Sequence, residues 1–221
     1  MKSFLPVQLP VALMLSISII TSTALLTGCG TTRNKALTTY DLGPLTPMPF
    51  VTDTPVSTRP DSIRGSLPPI TVADVTSAGW LDSHMMQYRL DYANELQPHP
   101  YAASRWSMPP PQLLGQRIKA RLAQTGGAVL SGTDGAVDVP LLRVEANDFS
   151  QRFSSPTESD VQVSMRATVF NGRTLVAQKS FTKQGPAPTP DAAGAARALA
   201  DATDLVIADM MIWLAALPVK K

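Results

Sequence analysis

The feature that most constrains the fold is a pair of alternating segments joined by Asn171-Gly172. Apolar side chains recur at every second position of the first segment, which is the period of a half-buried β-strand. Asn-Gly between two such segments is a strong hairpin signal, because both residues accept the positive φ angles of a tight turn. Residues 161–170 and 174–183 are therefore predicted to pair as antiparallel strands. Residues 141–153 also alternate and are predicted to form a third strand in series.

Two amphipathic helices are predicted, one before these strands in the sequence and one after them. The first covers residues 112–124, where leucine and isoleucine recur every fourth residue and form one apolar face. Its basic residues are predicted to lie mostly off this face: Arg117, Lys119 and Arg121. The second helix begins at Pro190, with Thr189 as its N-cap, and runs to about residue 217. Its apolar stripe of alanine and larger residues is typical of a core face.

Shorter segments complete the fold. Strands are predicted at residues 37–42, 70–75, 84–90 and 128–131, and residues 79–83 form a turn or a single helical turn. Because residues 94–101 contain Pro98 and Pro100, they are predicted to be a hairpin turn or loop. The order of strands and helices predicts an α/β fold, with a mixed β-sheet packed by two main helices in a single domain of residues 37–217.

Proline is unevenly distributed along the chain. The sequence has 20 prolines, and they are dense in residues 43–69, where threonine, serine and aspartate fill much of the rest. Proline fixes φ and removes a backbone donor, so this stretch is predicted to be a Pro-rich linker or long surface loop. It lies inside the domain, because a strand is predicted before it.

The N-terminal region has the pattern of a targeting segment. Lys2 is followed by a long apolar stretch, and residues 3–32 contain no charged side chain. This pattern is typical of a secretory signal peptide, with a retained transmembrane helix as the competing interpretation. The stretch ends in Leu26-Thr27-Gly28-Cys29, which resembles the lipobox of bacterial lipoproteins. Cys29 is the only cysteine in the chain, and the alternative is an ordinary buried or membrane cysteine.

The lipobox resemblance implies a lipid anchor. Residues 1–28 are then a signal peptide, Cys29 is the acylated N-terminus and residues 29–36 are a lipidated tether. At the other end of the chain Pro218 ends the last helix, so residues 218–221 are predicted to be a tail. Several acyl chains hold a protein firmly on a membrane that it does not span. Gly30 rather than aspartate follows the cysteine, which by analogy with bacterial sorting favours the outer membrane, facing the periplasm.

The composition disfavours most kinds of catalytic and metal-binding site. With one cysteine and two histidines, the chain has little material for a disulfide, a metal site or histidine-dependent catalysis. Asp91, Glu95 and His99 have helical metal-ligand spacing, but Pro98 disfavours that helix. No nucleophile elbow, P-loop or dinucleotide fingerprint occurs, and the net charge of +2 gives no nucleic-acid footprint. We therefore predict no catalytic residue, metal ligand or cofactor, with an envelope hydrolase as a minor alternative.

Aromatic and arginine residues are concentrated in the middle of the chain. Such residues are common anchors of protein interfaces, and they also fill cores and stack on one another. The sequence leaves both alternatives open. The candidate partner-binding residues are Tyr88, Arg89, Tyr101, Arg105 and Trp106.

The same region carries a resemblance to a known family. The ordered series resembles the auxiliary lipoproteins of ABC-type transport systems, which include the paraquat-inducible protein C lipoproteins, and it extends from about residue 40 to residue 217. The residues that carry it are Tyr40-Asp41-Leu42, Ile70-Thr71-Val72, Tyr88-Arg89-Leu90, Tyr101, Ser104-Arg105-Trp106, Pro109-Pro110 and Leu113-Leu114.

The resemblance implies a role without enzymatic activity. Members of this family work with MCE (mammalian cell entry) proteins and their permease and ATPase, in systems that move phospholipids or related lipids between membranes. The expected fold is an α/β sandwich, and a homo-oligomeric ring is a further implication. The alternative function is an envelope lipoprotein that binds and regulates a cell-wall synthesis or assembly enzyme.

Overall fold

A computed structural model describes residues 36–45 and 67–218 of the chain. The predicted signal peptide, Cys29 and most of the Pro-rich segment lie outside the described residues. Within the described ranges the chain forms nine β-strands, one short 3-10 helix and two α-helices. The elements are β1 (Thr38–Tyr40), β2 (Ile70–Val72), β3 (Thr76–Ser77), a 3-10 helix (Gly79–Leu81), β4 (Met85–Leu90), β5 (Asn94–Trp106), α1 (Pro110–Ala123), β6 (Val129–Ser131), β7 (Leu141–Phe153), β8 (Ser159–Asn171), β9 (Thr174–Pro186) and α2 (Ala192–Ala215).

Strand β7 organises the sheet. One of its edges pairs along its whole length with β8 in antiparallel orientation, and β8 pairs in turn with β9. The other edge carries β2, β3 and β4 one after another, all parallel to β7. Strand β6 joins β2, while β5 and then β1 continue outward from β4. The predicted α/β fold, a mixed sheet with two main helices in one domain, is confirmed.

The predicted β8–β9 hairpin is confirmed, but its turn lies one residue later than the Asn-Gly signal suggests. Asn171 ends β8 and pairs with Thr174, and the turn is formed by Gly172, with a φ of 58°, and Arg173. Alternate residues of β8 are at most 1% exposed, because they face the helices rather than solvent. These core residues are Val161, Val163, Met165, Ala167 and Val169.

Helix α2 packs across β8 and β9 through the predicted stripe. The ring of Trp213 in α2 packs edge-on against the ring of Phe181 in β9, with their centroids 5.6 Å apart. The predicted cap is wrong by two residues: Asp191, not Thr189, is the N-cap, and Asp191 Oδ1 accepts from Gly194 N at 2.8 Å. Thr189 Oγ1 donates to the same carboxylate, so the threonine supports the cap without forming it.

Helix α1 begins at Pro110, where proline is tolerated because first-turn amides need no helical acceptor. The prediction that its basic residues lie mostly off the buried face is wrong for Arg117 and Arg121. Their side chains are 6% and 1% exposed. Both donate to Asp204 of α2, which lies more than eighty residues away in sequence.

The first half of β5 corrects another prediction. Residues 94–101 are a strand rather than a turn or loop, and Pro98 and Pro100 lie opposite Arg89 and Gln87 of β4. Proline is accommodated because β1 covers the outer edge of β5 only at residues 104–106. In the described part of the chain no strand needs an amide donor from the prolines on that edge.

Strand β1 is shorter than predicted. It pairs with β5 in parallel over Thr38–Tyr40, and Leu42 just beyond it is buried in the core. Of the Pro-rich segment 43–69, only residues 43–45 and 67–69 are described.

Candidate functional site

The five candidate partner-binding residues lie on the hairpin of β4 and β5. Tyr88 and Arg89 are neighbours on β4, so their side chains point to opposite faces of the sheet. Tyr101, Arg105 and Trp106 lie on β5. The structure therefore brings the candidates onto one supersecondary unit but distributes them over both of its faces.

Tyr88 is the centre of an aromatic cluster. It lies opposite His99 in the β4–β5 ladder, and the two rings stack with centroids 5.4 Å apart. The Tyr101 ring lies 4.7 Å from Tyr88 and is tilted by 48°, while Phe153 at the end of β7 meets Tyr88 edge-on at 5.6 Å. Stacked and edge-on pairs of this kind add to the apolar burial and stiffen the hairpin.

Tyr101 also starts a polar chain into the core. Its hydroxyl donates to Gln151 Oε1 at 2.5 Å, and Gln151 Nε2 donates to Ser159 Oγ at 2.7 Å. Gln151 is fully buried, so these two partners satisfy an amide that would otherwise be costly to bury. Burial, followed by the charge of Asp191, raises the pKa of the Tyr101 hydroxyl, which therefore stays a protonated donor.

Arg89 occupies the opposite face. Its guanidinium lies 5.6 Å from the centroid of the Trp80 ring, and Nη1 donates to the carbonyl of Glu95 at 3.0 Å. A cation over an aromatic face keeps its charge while its carbon stem is covered. Arg89 is half-buried and still presents a positive edge at the surface of the hairpin.

Arg105 and Trp106 have different environments although they are adjacent. Arg105 is exposed, between Met85 of β4 and Thr39 of β1 in the ladders. Trp106 is 1% exposed, and its ring packs at 5.2 Å from Phe149 of β7. For Trp106 the core alternative that the sequence left open is the observed environment.

The hairpin is fastened to β7 by charge. Arg152 Nε donates to Asp91 Oδ2 at 2.8 Å, and Arg152 Nη2 lies 3.9 Å from Glu95 Oε2. Asp91, Glu95 and His99 thus lie on a turn and a strand rather than on a helix. The described part of the chain contains no group of three or more metal-ligating side chains.

The same unit presents apolar side chains to solvent. Met85 is 50%, Tyr92 49% and Leu96 81% exposed. We call these three residues, together with Arg89 and Arg105, the hairpin surface. Sequence reasoning missed Leu96 because the prolines suggested a loop. The alternation of Leu96, Pro98 and Pro100 with Gln97, His99 and Tyr101 is the signal that could have revealed a strand there.

The composition of the hairpin surface is suited to binding. Exposed aliphatic and aromatic groups beside arginines are the usual composition of a protein contact. The rings beneath them are held by stacking and by the Tyr101–Gln151 hydrogen bond, so the surface is preorganised. Within the described ranges, no helix has the length and apolar character needed to cross a membrane.

Comparison with known proteins identifies relatives that match most of the chain. The family model of the ABC-type transport auxiliary lipoprotein component matches residues 51–211. No curated protein matches the sequence significantly.

Two solved structures have the same fold. A crystal structure of a Xanthomonas campestris protein assigned to the DUF330 family has a TM-score of 0.59 at 18% identity, over 68% of this chain and 87% of that one. A crystal structure of an uncharacterized protein has a TM-score of 0.61 at 16% identity, over 80% of this chain and 97% of the other. At this level of identity the likeness concerns the fold alone.

Proposed function

This chain belongs to the family of ABC-type transport auxiliary lipoprotein components, and from that membership we propose that it is a lipid-anchored accessory subunit of an MCE-type ABC transport system. Such a system would move phospholipids or related lipids across the bacterial envelope. The observation that carries the proposal is the family match over residues 51–211. A non-enzymatic role agrees with it.

The anchor is proposed at Cys29. Support comes from the sequence Leu26-Thr27-Gly28-Cys29 at the end of an apolar stretch. Two or more acyl chains give firm membrane attachment, so the domain would stay on a membrane without a spanning helix. Gly30 favours the outer membrane with the domain in the periplasm. Residues 29–36 would be the tether and residues 37–217 the domain.

The partner-binding role is proposed for the hairpin surface. Leu96 and Tyr92 offer apolar area, and Arg89 and Arg105 supply charge at its sides. Tyr88 and Tyr101 would act from beneath by fixing the shape of the hairpin, and Trp106 by holding β5 on the core. The partner would be the MCE protein, with its permease and ATPase behind it.

An affinity pull-down tests this function. The acylated protein is isolated from detergent-solubilised membranes, and co-purifying proteins are identified by mass spectrometry. We expect an MCE protein with its permease and ATPase. Leu96→Glu should lose them, while Leu175→Glu, at a similarly exposed residue on the β8–β9 hairpin, should retain them. Recovery of a cell-wall synthase instead would replace the proposed function by the alternative one.

Cys29→Ser tests the anchor separately. We expect the variant to fold and to leave the membrane fraction, because the acylated thiol is missing. A variant that stays in the outer-membrane fraction and fully supports outer-membrane integrity would contradict the anchoring proposal.

A further inference from the structure

A groove of about 320 Å³ lies between β1 and the N-terminal half of α2. Residues 39–43 form one wall, and Ala193, Ala196, Arg197 and Ala200 form the other. None of the hairpin-surface residues lines it. The groove is therefore a separate feature that the proposed function does not use.

Part of the first wall is the main-chain edge of β1. Thr39 and Tyr40 belong to this strand, and residues 41–43 continue the wall beyond its end. Tyr40 O accepts from Ser107 N of the β5 side at 2.7 Å. Main-chain groups alternate in direction along a strand, so the amide and carbonyl of Thr39 point away from β5. In the described ranges no strand pairs with that edge.

The wall formed by α2 consists mainly of small side chains. Ala193, Ala196 and Ala200 follow one another at spacings of three and four residues, which places them on one helix face. Their methyl groups leave the space that larger side chains would fill. Arg197 on this wall and Asp41 on the other are both exposed, so the groove carries one positive and one negative charge beside its alanines.

The outer edge of the long strand β9 lacks these properties. The outer edge of β9 carries Lys179 and Lys183, and Lys183 pairs with Asp209 of α2 at 2.8 Å. Charged residues, lysine in particular, discourage the addition of a further strand. The edge of β1 carries Thr38, Thr39 and Tyr40, which favour β-structure.

We propose that this groove binds an extended segment of a partner protein, which adds a strand to the edge of β1 that no strand occupies in the described ranges. The main chain of the segment would pair with Thr39, an apolar side chain would rest on the alanines, and an acidic side chain would face Arg197. Peptides are recognised in this way where an edge strand runs beside a pocket for alternate side chains. The inference rests on the geometry of β1 and α2 and goes beyond the function proposed above.

Selection from a phage-displayed library of random peptides tests the proposal on the full-length acylated protein in detergent. Selected peptides are synthesised with a fluorophore, and their affinities are measured by anisotropy. We expect Ala193→Leu and Ala200→Leu to weaken binding by about tenfold or more, since the leucine side chain fills the space beside the alanines that the peptide would occupy. Ala123→Leu, at an exposed alanine at the end of α1, should bind like the wild type.

Two charge-reversal variants, one in the groove and one outside it, give a second readout that does not depend on packing. Arg197→Glu should weaken peptides that carry an acidic residue by about tenfold or more, whereas Arg173→Glu in the exposed β8–β9 turn should not. Thermal unfolding verifies that each variant is folded. If a leucine variant does not fold, the Arg197 pair decides.

Hydrogen–deuterium exchange locates the bound peptide. We expect slower exchange at Thr39, because pairing protects its outward amide. Protection of β9 instead would overturn the proposal, as would a failure to select any peptide that the groove variants weaken. Binding of phospholipid vesicles or self-association through β1, without peptide binding at the groove, would also overturn it.

Discussion

Two charged clusters of this protein use the same chemistry at different depths. Where α1 meets α2, Arg117 and Arg121 share the carboxylate of Asp204, and the two arginines are almost completely buried. On the hairpin, Arg152 pairs with Asp91, and both side chains remain 29% exposed. The first cluster also reaches the chain after β1, because Arg117 Nη1 donates to Gly43 O at 3.0 Å.

The difference in depth separates stability from binding. Water can replace either partner of an exposed pair, so such a pair contributes only about 0–1 kcal/mol. A buried arginine that loses its partner keeps an uncompensated charge in the core. We infer that the helix junction fixes the fold, whereas the hairpin carries side chains that can be changed with little cost to folding.

Loss of the buried carboxylate is expected to have the largest effect. Asp204→Ala should lower the free energy of unfolding by roughly 3–5 kcal/mol, because two buried guanidinium groups lose their common acceptor. Asp91→Ala removes a carboxylate from the exposed pair and should cost about 1 kcal/mol or less. Urea unfolding measures both. Equal losses would remove the distinction between the two clusters.

Two neighbouring residues test where the core ends. Trp106→Ala should destabilise the protein by about 3–5 kcal/mol, because it removes a buried ring packed on Phe149. Arg105→Ala should change stability by less than about 0.5 kcal/mol. Thermal and urea unfolding provide the comparison. A mild Trp106→Ala variant that nevertheless lost its partner would assign Trp106 to the interface.

Loss of the Tyr101–Gln151 hydrogen bond beneath the hairpin is expected to have an intermediate effect on the free energy of unfolding. Tyr101→Phe removes the donor to Gln151 and should cost about 1–3 kcal/mol, since the amide oxygen is then buried without that donor. Tyr92→Phe, at a half-exposed ring, should be close to neutral and serves as the matched control. If the two variants unfold alike, the Tyr101–Gln151 bond does not support the hairpin.

The smallest effect concerns two carboxyl groups whose pKa values shift in opposite directions. For Asp204, burial alone would raise the pKa, but Arg117 and Arg121 hold it below its ordinary value of 3.8. For Asp148, burial raises the pKa above 3.8, although Ser150 donates to the carboxylate at 2.7 Å. Asp204 therefore stabilises the fold above pH 3.8, and this stability is lost as the pH falls through its lowered pKa.

The raised pKa of Asp148 makes its contribution to stability depend on pH in the opposite direction. Its stabilising contribution is complete below pH 3.8 and is lost as the pH rises through its raised pKa. Asp148→Asn should therefore be more stable than the wild type at pH 7, and the gain should disappear in acid. Urea unfolding from pH 3 to pH 7 measures it. A difference that does not change with pH would contradict this assignment.

The parts of the fold that were predictable depend on local patterns. The β8–β9 hairpin is specified by a period of two and by Asn171-Gly172, all within one short stretch of chain. The apolar face of α1 follows equally from spacing within the helix. The order of β2, β3 and β4 along β7 depends on distant pairings, which no local pattern contains.

The errors have the same origin. Arg117 and Arg121 have the composition of a solvated helix face, and only the distant Asp204 makes their burial favourable. The first half of β5 contains prolines that disfavour a central strand, and it is a strand because its outer edge is not required for pairing in the described ranges. For the candidate site, the sequence located the hairpin but could not distinguish Arg105 at the surface from Trp106 in the core.

Photo-crosslinking in living cells tests whether the hairpin surface contacts an MCE protein. A photoreactive amino acid is placed at residue 96 on the hairpin surface or at residue 175 on the β8–β9 hairpin, and cross-linked proteins are identified by mass spectrometry. We expect an MCE protein to be captured from residue 96 and not from residue 175. Capture of a cell-wall synthase from residue 96, or of the MCE protein from residue 175 alone, would contradict the proposed role of the hairpin surface.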